Sequence, residues 1–513
     1  MADPAPLPRR PLRLLGAAGV LLLFVIWAGA SLAAGSFFVP PPWLTLADTV
    51  RLLCQPGTWD QILVTFLRVA VGFLAGFTAG VVAGIGMGAE PRTRAVLRPL
   101  VTFFQGMPPL LWAIPLVALM GIGHLPSIIV ITLITFPLVA VTVAEGMSTL
   151  PRDLGEMLAV FAPGLRARLR ELVLPHLAPF LTAAINAGLV LAVKASVTAE
   201  YFGANDGIGF QIQSAYMSLR IRSLFSWAAV LILLILLVTS LLPRAVRLVQ
   251  GLARVARERP SISGEPAAPV TESELRELSP GSRALSLEKV SFSFRRRQVV
   301  LKDASLSVRP GEIALLTGES GIGKTTMLRL AAGLLRPSSG AVARPRRLGF
   351  VFQDDRLLPW RTVTENAALP LVYEGVPRHR AMAFASRLLA EAGLGGDGGK
   401  RPEELSGGMK KRAALARCFA RMPDAILMDE PFSGLHAKAR AQLWEMFLRL
   451  HARHPVPALI VTHYPEELAP GGRVYVLEGR PARLRSAARG RRSLTGRPRS
   501  PTLSGRKTYG TRH

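Results

Sequence analysis

Two cysteines in 513 residues, Cys54 and Cys418, rule out a disulfide framework, and neither has the spacing of a metal site. Acid is also scarce: 34 Asp and Glu stand against 62 Lys and Arg, a formal net charge of +28. Charged residues make up only 19% and hydrophobic residues 50%, a balance that points away from a purely soluble chain and towards membrane segments. The basic excess lies mainly in short loops between apolar runs and in the stretch from Arg480 onward, which contains no acid. Membrane topology accounts for that distribution, so no nucleic-acid partner is expected.

Long apolar runs are what the sequence has instead. A membrane-crossing helix needs ~20 mostly apolar residues, and six stretches qualify: 13–34, 61–88, 99–121, 125–147, 177–202 and 223–243. The first is longer than the ~7–15-residue apolar core of a cleaved leader. It reads as a retained helix, with cleavage as the alternative. In the second, "GFLAGFTAGVVAGIGMG" sets small residues at the spacing of close helix packing. Four arginine groups fall on one side of six crossings: Arg9, Arg10 and Arg13; Arg92, Arg94 and Arg98; Arg152, Arg166, Arg168 and Arg170; and Arg244 and Arg247. The bias of such residues to cytoplasmic loops makes that side the cytoplasm. The expectation is a multi-pass protein of the inner (plasma) membrane with both termini cytoplasmic. Arg220 and Arg222 fall on the other side and break the trend.

Composition then divides the chain. Residues 1–12 read as a cytoplasmic arm, 13–248 as the membrane domain, 249–284 as a polar, proline-bearing linker, and 480–513 as a basic disordered tail. Between them, 285–479 alternates strands ("LSLEKVSFSF", "EIALLTG", "RLGFVFQ", "AILMDE", "ALIVTH") with helical stretches, the pattern of a largely parallel sheet. The expected fold is therefore multidomain: an all-α polytopic membrane domain of about six transmembrane helices, followed by an α/β domain, which the phosphate-loop stretch "GESGIGKTT" makes a P-loop NTPase domain.

The second domain carries the clearest chemistry. "GESGIGKTT" fits G-x-x-x-x-G-K-[ST] in full, after an apolar strand and before a helical stretch. Gly318, Ser320, Gly321 and Gly323 let backbone N–H groups wrap phosphates, Lys324 reaches the outer phosphates, Thr325 ligates Mg2+, and Thr326 continues the helix start. In "DAILMDE", Asp429 is placed to order the magnesium shell and Glu430 to polarise an attacking water. ATP and Mg2+ are the expected cofactors.

These residues sit among motifs that resemble the ATP-binding-cassette (ABC) ATPases. "LSGGMKKRAALARC" resembles their signature, "FQDDRLLPWRTVTENAALPL" their glutamine loop, and "IVTH" their switch histidine. The resemblance implies an adenine-stacking role for Phe294, a magnesium-sensing role for Gln353, and a γ-phosphate contact for His463. It also implies two ATPase domains closed face to face, so Ser406, Gly407 and Gly408 serve ATP held by a second copy of the chain. In "MDEPFSGLHAK", His436 stands where the family usually has aspartate, in a loop facing the opposite domain. That departure bears on communication between the two sites more than on hydrolysis.

"GEMLAVFAPGLRARLRELVLPHLAP" resembles the coupling loop of binding-protein-dependent permeases, within a segment placed at 153–176. Glu156, Leu174 and Pro175 fit the pattern; Met157, Leu158 and Ala162 depart from it. With "TAEYFGANDGIGFQI" and neighbouring segments, the chain resembles the nitrate/sulfonate/taurine importer group, with permease and ATPase fused. The resemblance implies ATP-driven import of a small solute, an anion such as nitrate, a sulfonate or taurine, delivered by an external or periplasmic solute-binding protein. The alternatives are an exporter half-transporter and a non-transporting membrane-tethered ATPase. Lys194, well inside the fifth run, reads either as lining the translocation path or as paired with Glu200 or snorkelling; Arg68 reads as an interface or packing residue.

Overall fold

The computed structural model describes residues 9–161, 164–258, 271, 273–274, 284–294, 298–468 and 473–487. The chain divides into two units, one of Met1–Arg152 with Gly164–Gly264 and one of Asp153–Pro163 with Glu265–His513. Residues 1–8 of the expected arm, most of the linker and residues 488–513 of the expected tail lie outside the described residues.

The first unit is helical. In order, its helices are α1 (Arg9–Ala34), α2 (Pro42–Leu53), α3 (Pro56–Ala89), α4 (Pro91–Gly106), α5 (Pro109–Met120), α6 (His124–Ser148) and the start of α7 (Arg152–Phe161), then α8 (Leu165–Arg168), a π-helical turn over Leu169–Val173, α9 (Leu174–Gly203), α10 (Ile208–Met217) and α11 (Ile221–Glu258). Proline opens α2, α3, α4 and α5, where its missing N–H breaks no bond and its fixed φ suits the first turn. Among the described residues four helices are long and apolar enough to cross a membrane. The expected third span, 99–121, is not one helix: α4 and α5 meet at a bend of 91°. Pro108 explains the break, because it drives Met107 into an extended conformation (φ −91°, ψ 122°) that no helix continues. Counting the bent pair as one span gives five crossings, and the described apolar part of α1, Ala18–Ala34, is shorter than the rest. α11 runs past residue 243 to Glu258, into the stretch read as linker.

Two devices hold this unit together. One is the glycine row of α3, which lies against α6. A Cβ at Gly76 would stand 2.8 Å from the Thr132 carbonyl oxygen, and at Gly80 2.8 Å from that of Phe136. Only glycine lets the two backbones approach this closely, and the Thr132 hydroxyl donates across the contact to the Gly72 carbonyl (3.1 Å). The other is a buried polar cluster. Arg68, only 2% exposed, pairs with the fully buried Glu200 at 3.1 Å and also with Asp206. Glu200 further accepts from the Thr65 hydroxyl (2.9 Å), the Ser196 hydroxyl (3.2 Å) and the Gly209 amide (3.0 Å). So Arg68 is the centre of an ion-pair network that ties α3 to α9 and α10, and Glu200 is committed to it rather than to Lys194.

The second unit is α/β. Strands β1 (Leu285–Phe294), β2 (Gln298–Val308) and β4 (Ser339–Ala343) form an antiparallel sheet of order β2-β1-β4. Strands β3 (Ile313–Gly318), β5 (Leu348–Val351), β6 (Ala425–Asp429), β7 (Ala458–Val461), β8 (Arg473–Glu478) and β9 (Arg483–Ala487) form a second sheet of order β5-β6-β7-β3-β8-β9. All its pairs are parallel except β8–β9. β9 falls in the stretch expected to be disordered; it is ordered because it covers the open edge of β8 with main-chain bonds. The helices are α12 (Lys324–Ala332), α13 (Val363–Tyr373), α14 (Arg378–Glu391), α15 (Gly407–Ala420), α16 (Ala437–Arg453) and α17 (Pro465–Leu468). Every residue of β5, β6 and β7 is buried, as in strands covered on both faces.

Segment 153–163 belongs to this second unit. Glu156 of α7 accepts from Arg356 (2.9 Å) and pairs with Arg329 of α12 (3.2 Å). Arg356 also pairs with Asp153 (3.2 Å), and its guanidinium lies over the Phe352 ring at 3.9 Å. Arg421 donates to the Val160 carbonyl (3.0 Å), which anchors the far end of α7.

Gly76→Leu drives a side chain into the α6 backbone. It should cost about 1–3 kcal/mol or more and remove most of the monodisperse protein recovered in mild detergent. Gly76→Ala should lower recovery as well, since its single methyl already meets the Thr132 carbonyl. Unchanged recovery of the leucine variant counts against the packing. Arg356→Ala removes charge-assisted bonds worth about 1.5–3 kcal/mol together with a stacking contact. Amide exchange over 153–161 should rise in that variant, while exchange over α12 changes little.

Candidate functional site

The sheet order explains why the predicted residues meet. β7 lies between β6 and β3, all three parallel, so their C-terminal ends open on one edge, where open α/β sheets bind ligands. The end of β3 and the loop after it carry Gly318, Ser320, Gly321 and Gly323; the end of β6 carries Asp429 and Glu430; the end of β7 leads to His463.

The phosphate loop is shaped by glycine. Gly321 (φ +75°) and Gly323 (φ +115°) have positive φ, and a Cβ at Gly323 would meet Val300 Cγ1 at 2.8 Å. Lys324 begins α12, is buried, and donates to the carbonyls of Gly318 (2.9 Å) and Glu319 (3.0 Å). Its ammonium thus lies folded over the loop. Thr325 follows, and its hydroxyl donates to Asp429 Oδ1 at 3.2 Å; Thr326 is in the same first turn. Burial raises the Asp429 carboxyl above its usual range, and neighbouring Glu430 adds to that, while Thr325, Arg329 and Arg356 act against it. A carboxylate that is costly to ionise beside a hydroxyl is an all-oxygen pair suited to a hard cation such as Mg2+. Among the described residues no group of three or more His, Cys, Asp or Glu could hold a metal ion. The Thr325–Asp429 pair would supply two oxygen ligands to such a cation.

Glu430 sits at φ +46°, a rare conformation for a side-chain-bearing residue, and its amide donates to the Val461 carbonyl (3.1 Å). That turn brings Glu430 Oε1 to 2.9 Å from His463 Nε2. The two residues assigned to catalysis are hydrogen-bonded partners, although 33 positions separate them.

Other predicted residues are placed more loosely. Ser406 is the N-cap of α15, its hydroxyl accepting from the Met409 amide (3.4 Å); Gly407 faces open space, and a Cβ at Gly408 would stand 3.7 Å from Leu435. Serine and glycines thus lie at a helix N-terminus, on the surface. Gln353 is exposed; its carbonyl accepts from Lys411 Nζ (3.3 Å), and its side chain makes no hydrogen bond to another described residue. Phe294 ends β1 half-exposed, edge-on to Phe292. His436 is the N-cap of α16, with Nδ1 accepting from the Ala439 amide at 3.3 Å. Lys194 is exposed on α9, and Leu174 and Pro175 form the first turn of that helix in the first unit. Glu156, in the second unit, is separated from them in the structural division of the chain.

Sequence reasoning missed four arginines. Arg329, Arg356 and Arg421 hold α7. Arg417, fully buried on α15, donates to the carbonyls of Arg356 (2.7 Å) and Asp355 (2.8 Å) and so fixes the glutamine loop. Burial brings the Arg417 guanidinium down to about 10, still charged at neutral pH. The signal was faint: in a chain this basic, a structural arginine looks like any other.

Known proteins resemble each of the two parts. Residues 301–433 match the family described as ABC transporter, and residues 76–252 match the one described as binding-protein-dependent transport system inner membrane component. The ATPase part is 41% identical over 207 residues to the aliphatic sulfonates import ATP-binding protein SsuB 3 of Paraburkholderia xenovorans, covering 40% of this chain and 81% of that protein. It is 40% identical to SsuB 1 of Xanthomonas axonopodis pv. citri, covering 40% of this chain and 86% of that protein. It is 41% identical to the taurine import ATP-binding protein TauB of Pseudomonas putida, covering 36% and 73%. With a helical permease unit and an ATP-binding cassette in one polypeptide, the chain belongs to the ABC transporter family, a membrane protein whose ATP hydrolysis is coupled to transport.

Proposed function

We propose that this chain is one half of a homodimeric importer that takes up a small organic anion, of the sulfonate or taurine type, from an external solute-binding protein. The observation that carries the reading is the junction of phosphate loop, Asp429–Glu430 and His463 at one sheet edge, in a chain that also carries its own permease. The relatives named for sulfonate and taurine import support the solute class. Lys194, exposed on a membrane helix, supports an anion: an ammonium there is costly unless a polar path or a partner covers it.

In this mechanism the N–H groups of the 318–323 loop and Lys324 hold phosphate oxygens. Thr325 and Asp429 hold Mg2+, with Gln353 closing on that side, and Phe294 stacks on adenine. Magnesium supplies charge neutralisation at the phosphates. Glu430 aligns and deprotonates the attacking water, and His463 fixes the Glu430 carboxylate at 2.9 Å while facing the γ-phosphate. Ser406, Gly407 and Gly408 of a second copy complete the site, since hydroxyl and helix N-terminal amides suit the γ-phosphate. Glu156 carries the resulting movement, because Arg329 joins it to the helix that begins at Lys324. The plasma membrane is crossed with both termini cytoplasmic.

Proteoliposomes test this directly. Uptake of labelled taurine or an alkanesulfonate should require ATP and a solute-binding protein on the outside, and Glu430→Gln should keep ATP binding while cutting hydrolysis about 10²–10⁴-fold. Export, or uptake indifferent to a binding protein, overturns the import reading. Asp429 gives a second test. Its folded-state pKa lies above the unfolded value, so the folded protein binds the extra proton and stability falls as pH rises through that interval. Asp429→Asn removes this penalty. Without ligand at neutral pH the variant should melt at or above the wild type, yet lose the magnesium-dependent part of stabilisation by ATP. Full magnesium-dependent stabilisation in the variant argues against Asp429 as a metal ligand.

A further inference from the structure

A groove of about 600 Å³ lies at the N-terminal end of α11, between that end, the loop after α1 and the helix α2. Its polar lining includes Asp48, Arg51, Gln55, Arg220, Arg222 and Ser223. Asp48 pairs with Arg222 at 2.7 Å and lies 3.7 Å from Arg51. Arg220 reaches a neutral hydroxyl, that of Ser214, at 3.4 Å. The lining thus carries one carboxylate and three guanidinium groups, an excess of two positive charges. Arg51 and Arg222 have side chains 79% and 55% exposed, so their outer N–H groups are open to a ligand.

The level of this groove is set by its walls. α11 is apolar from Ile221 to Leu241, so its first residues mark one face of the hydrocarbon layer. α2 buries Pro42, Thr45 and Thr49 and exposes Trp43, Leu46 and Val50, as a helix lying in the membrane interface does. Phe37 and Leu219, both exposed, add apolar surface to the groove itself. The arginines sit at the end of α11 opposite Arg244, so the rule that gathers basic residues on one side does not account for them.

We propose that this groove binds the phosphodiester headgroup of an anionic phospholipid, with Arg51, Arg220 and Arg222 on the phosphate and Phe37 and Leu219 beside the glycerol and upper acyl chain. A free phosphate would meet the arginines but leave the apolar wall unused. The site is built from the first unit alone.

The test uses the full chain extracted with native lipid and placed in nanodiscs of phosphatidylcholine doped with phosphatidylglycerol, with retained lipid read by native mass spectrometry. Replacing Arg51, Arg220 and Arg222 by Gln should lower phosphatidylglycerol retention about fivefold for each arginine removed. The corresponding lysine variants should retain it, which separates loss of charge from loss of fold. Asp48→Asn removes the competing carboxylate and should raise retention. Equal retention by wild type and the triple glutamine variant overturns the proposal. So does displacement of the lipid by inorganic phosphate as readily as by phosphatidylglycerol, which marks a small-anion site. Unchanged lipid retention with lost capture of an external solute-binding protein overturns it as well, in favour of protein docking.

Discussion

One carboxylate links the nucleotide loop to the segment that leaves the membrane unit. Glu156 is held by Arg329, which lies on the helix opened by Lys324 and Thr325, and by Arg356, which lies three residues beyond Gln353. Any shift of the phosphate-loop helix or of the glutamine loop therefore changes the setting of Glu156 directly. Charge-assisted pairs suit this role, because they fix direction as well as distance. Arg417 supports the arrangement from beneath, holding the Asp355 and Arg356 carbonyls from the signature helix. The glutamine loop, the signature helix and the phosphate-loop helix thus bear on one short segment.

The same side chains act on Asp429, the acid proposed to hold magnesium. Arg329 and Arg356 both favour the ionised form of Asp429, against the larger effect of its burial. Burial makes the site ready for a cation that it cannot satisfy with protein groups alone.

What the sequence disclosed follows from backbone demands. The phosphate loop needs positive-φ glycines and a helix start, so its motif is local and complete in nine residues. The glycine row of α3 was legible for the same reason: a close approach admits only glycine, at helical spacing. The expected third span failed because hydropathy ignores the rigid Met107–Pro108 step, which breaks α4 from α5. Among the intramembrane charges a lone lysine in an apolar run draws notice, while the partners of an arginine do not show in the sequence. Arg68, over three turns inside α3, takes its meaning from Glu200 and Asp206, which lie 132 and 138 positions away. The tail boundary moved because β9 depends on the edge of β8, a partner that composition does not display.

His436 shows how an apparent defect can be neutral for folding. The family residue at this place is an acid, and an acid caps a helix through its oxygen. Here the imidazole Nδ1 takes the same bond from the Ala439 amide, so α16 starts in register and the loop from Glu430 to Gly434 keeps its path. What imidazole cannot supply is the negative charge that favours a helix N-terminus. With His436 in place, Glu430 still stands 2.9 Å from His463, and the start of α16 lacks a carboxylate's charge. If that end of α16 meets a second copy of the chain, the effect of His436 falls on how the two sites influence each other, not on the bond-breaking step within either one.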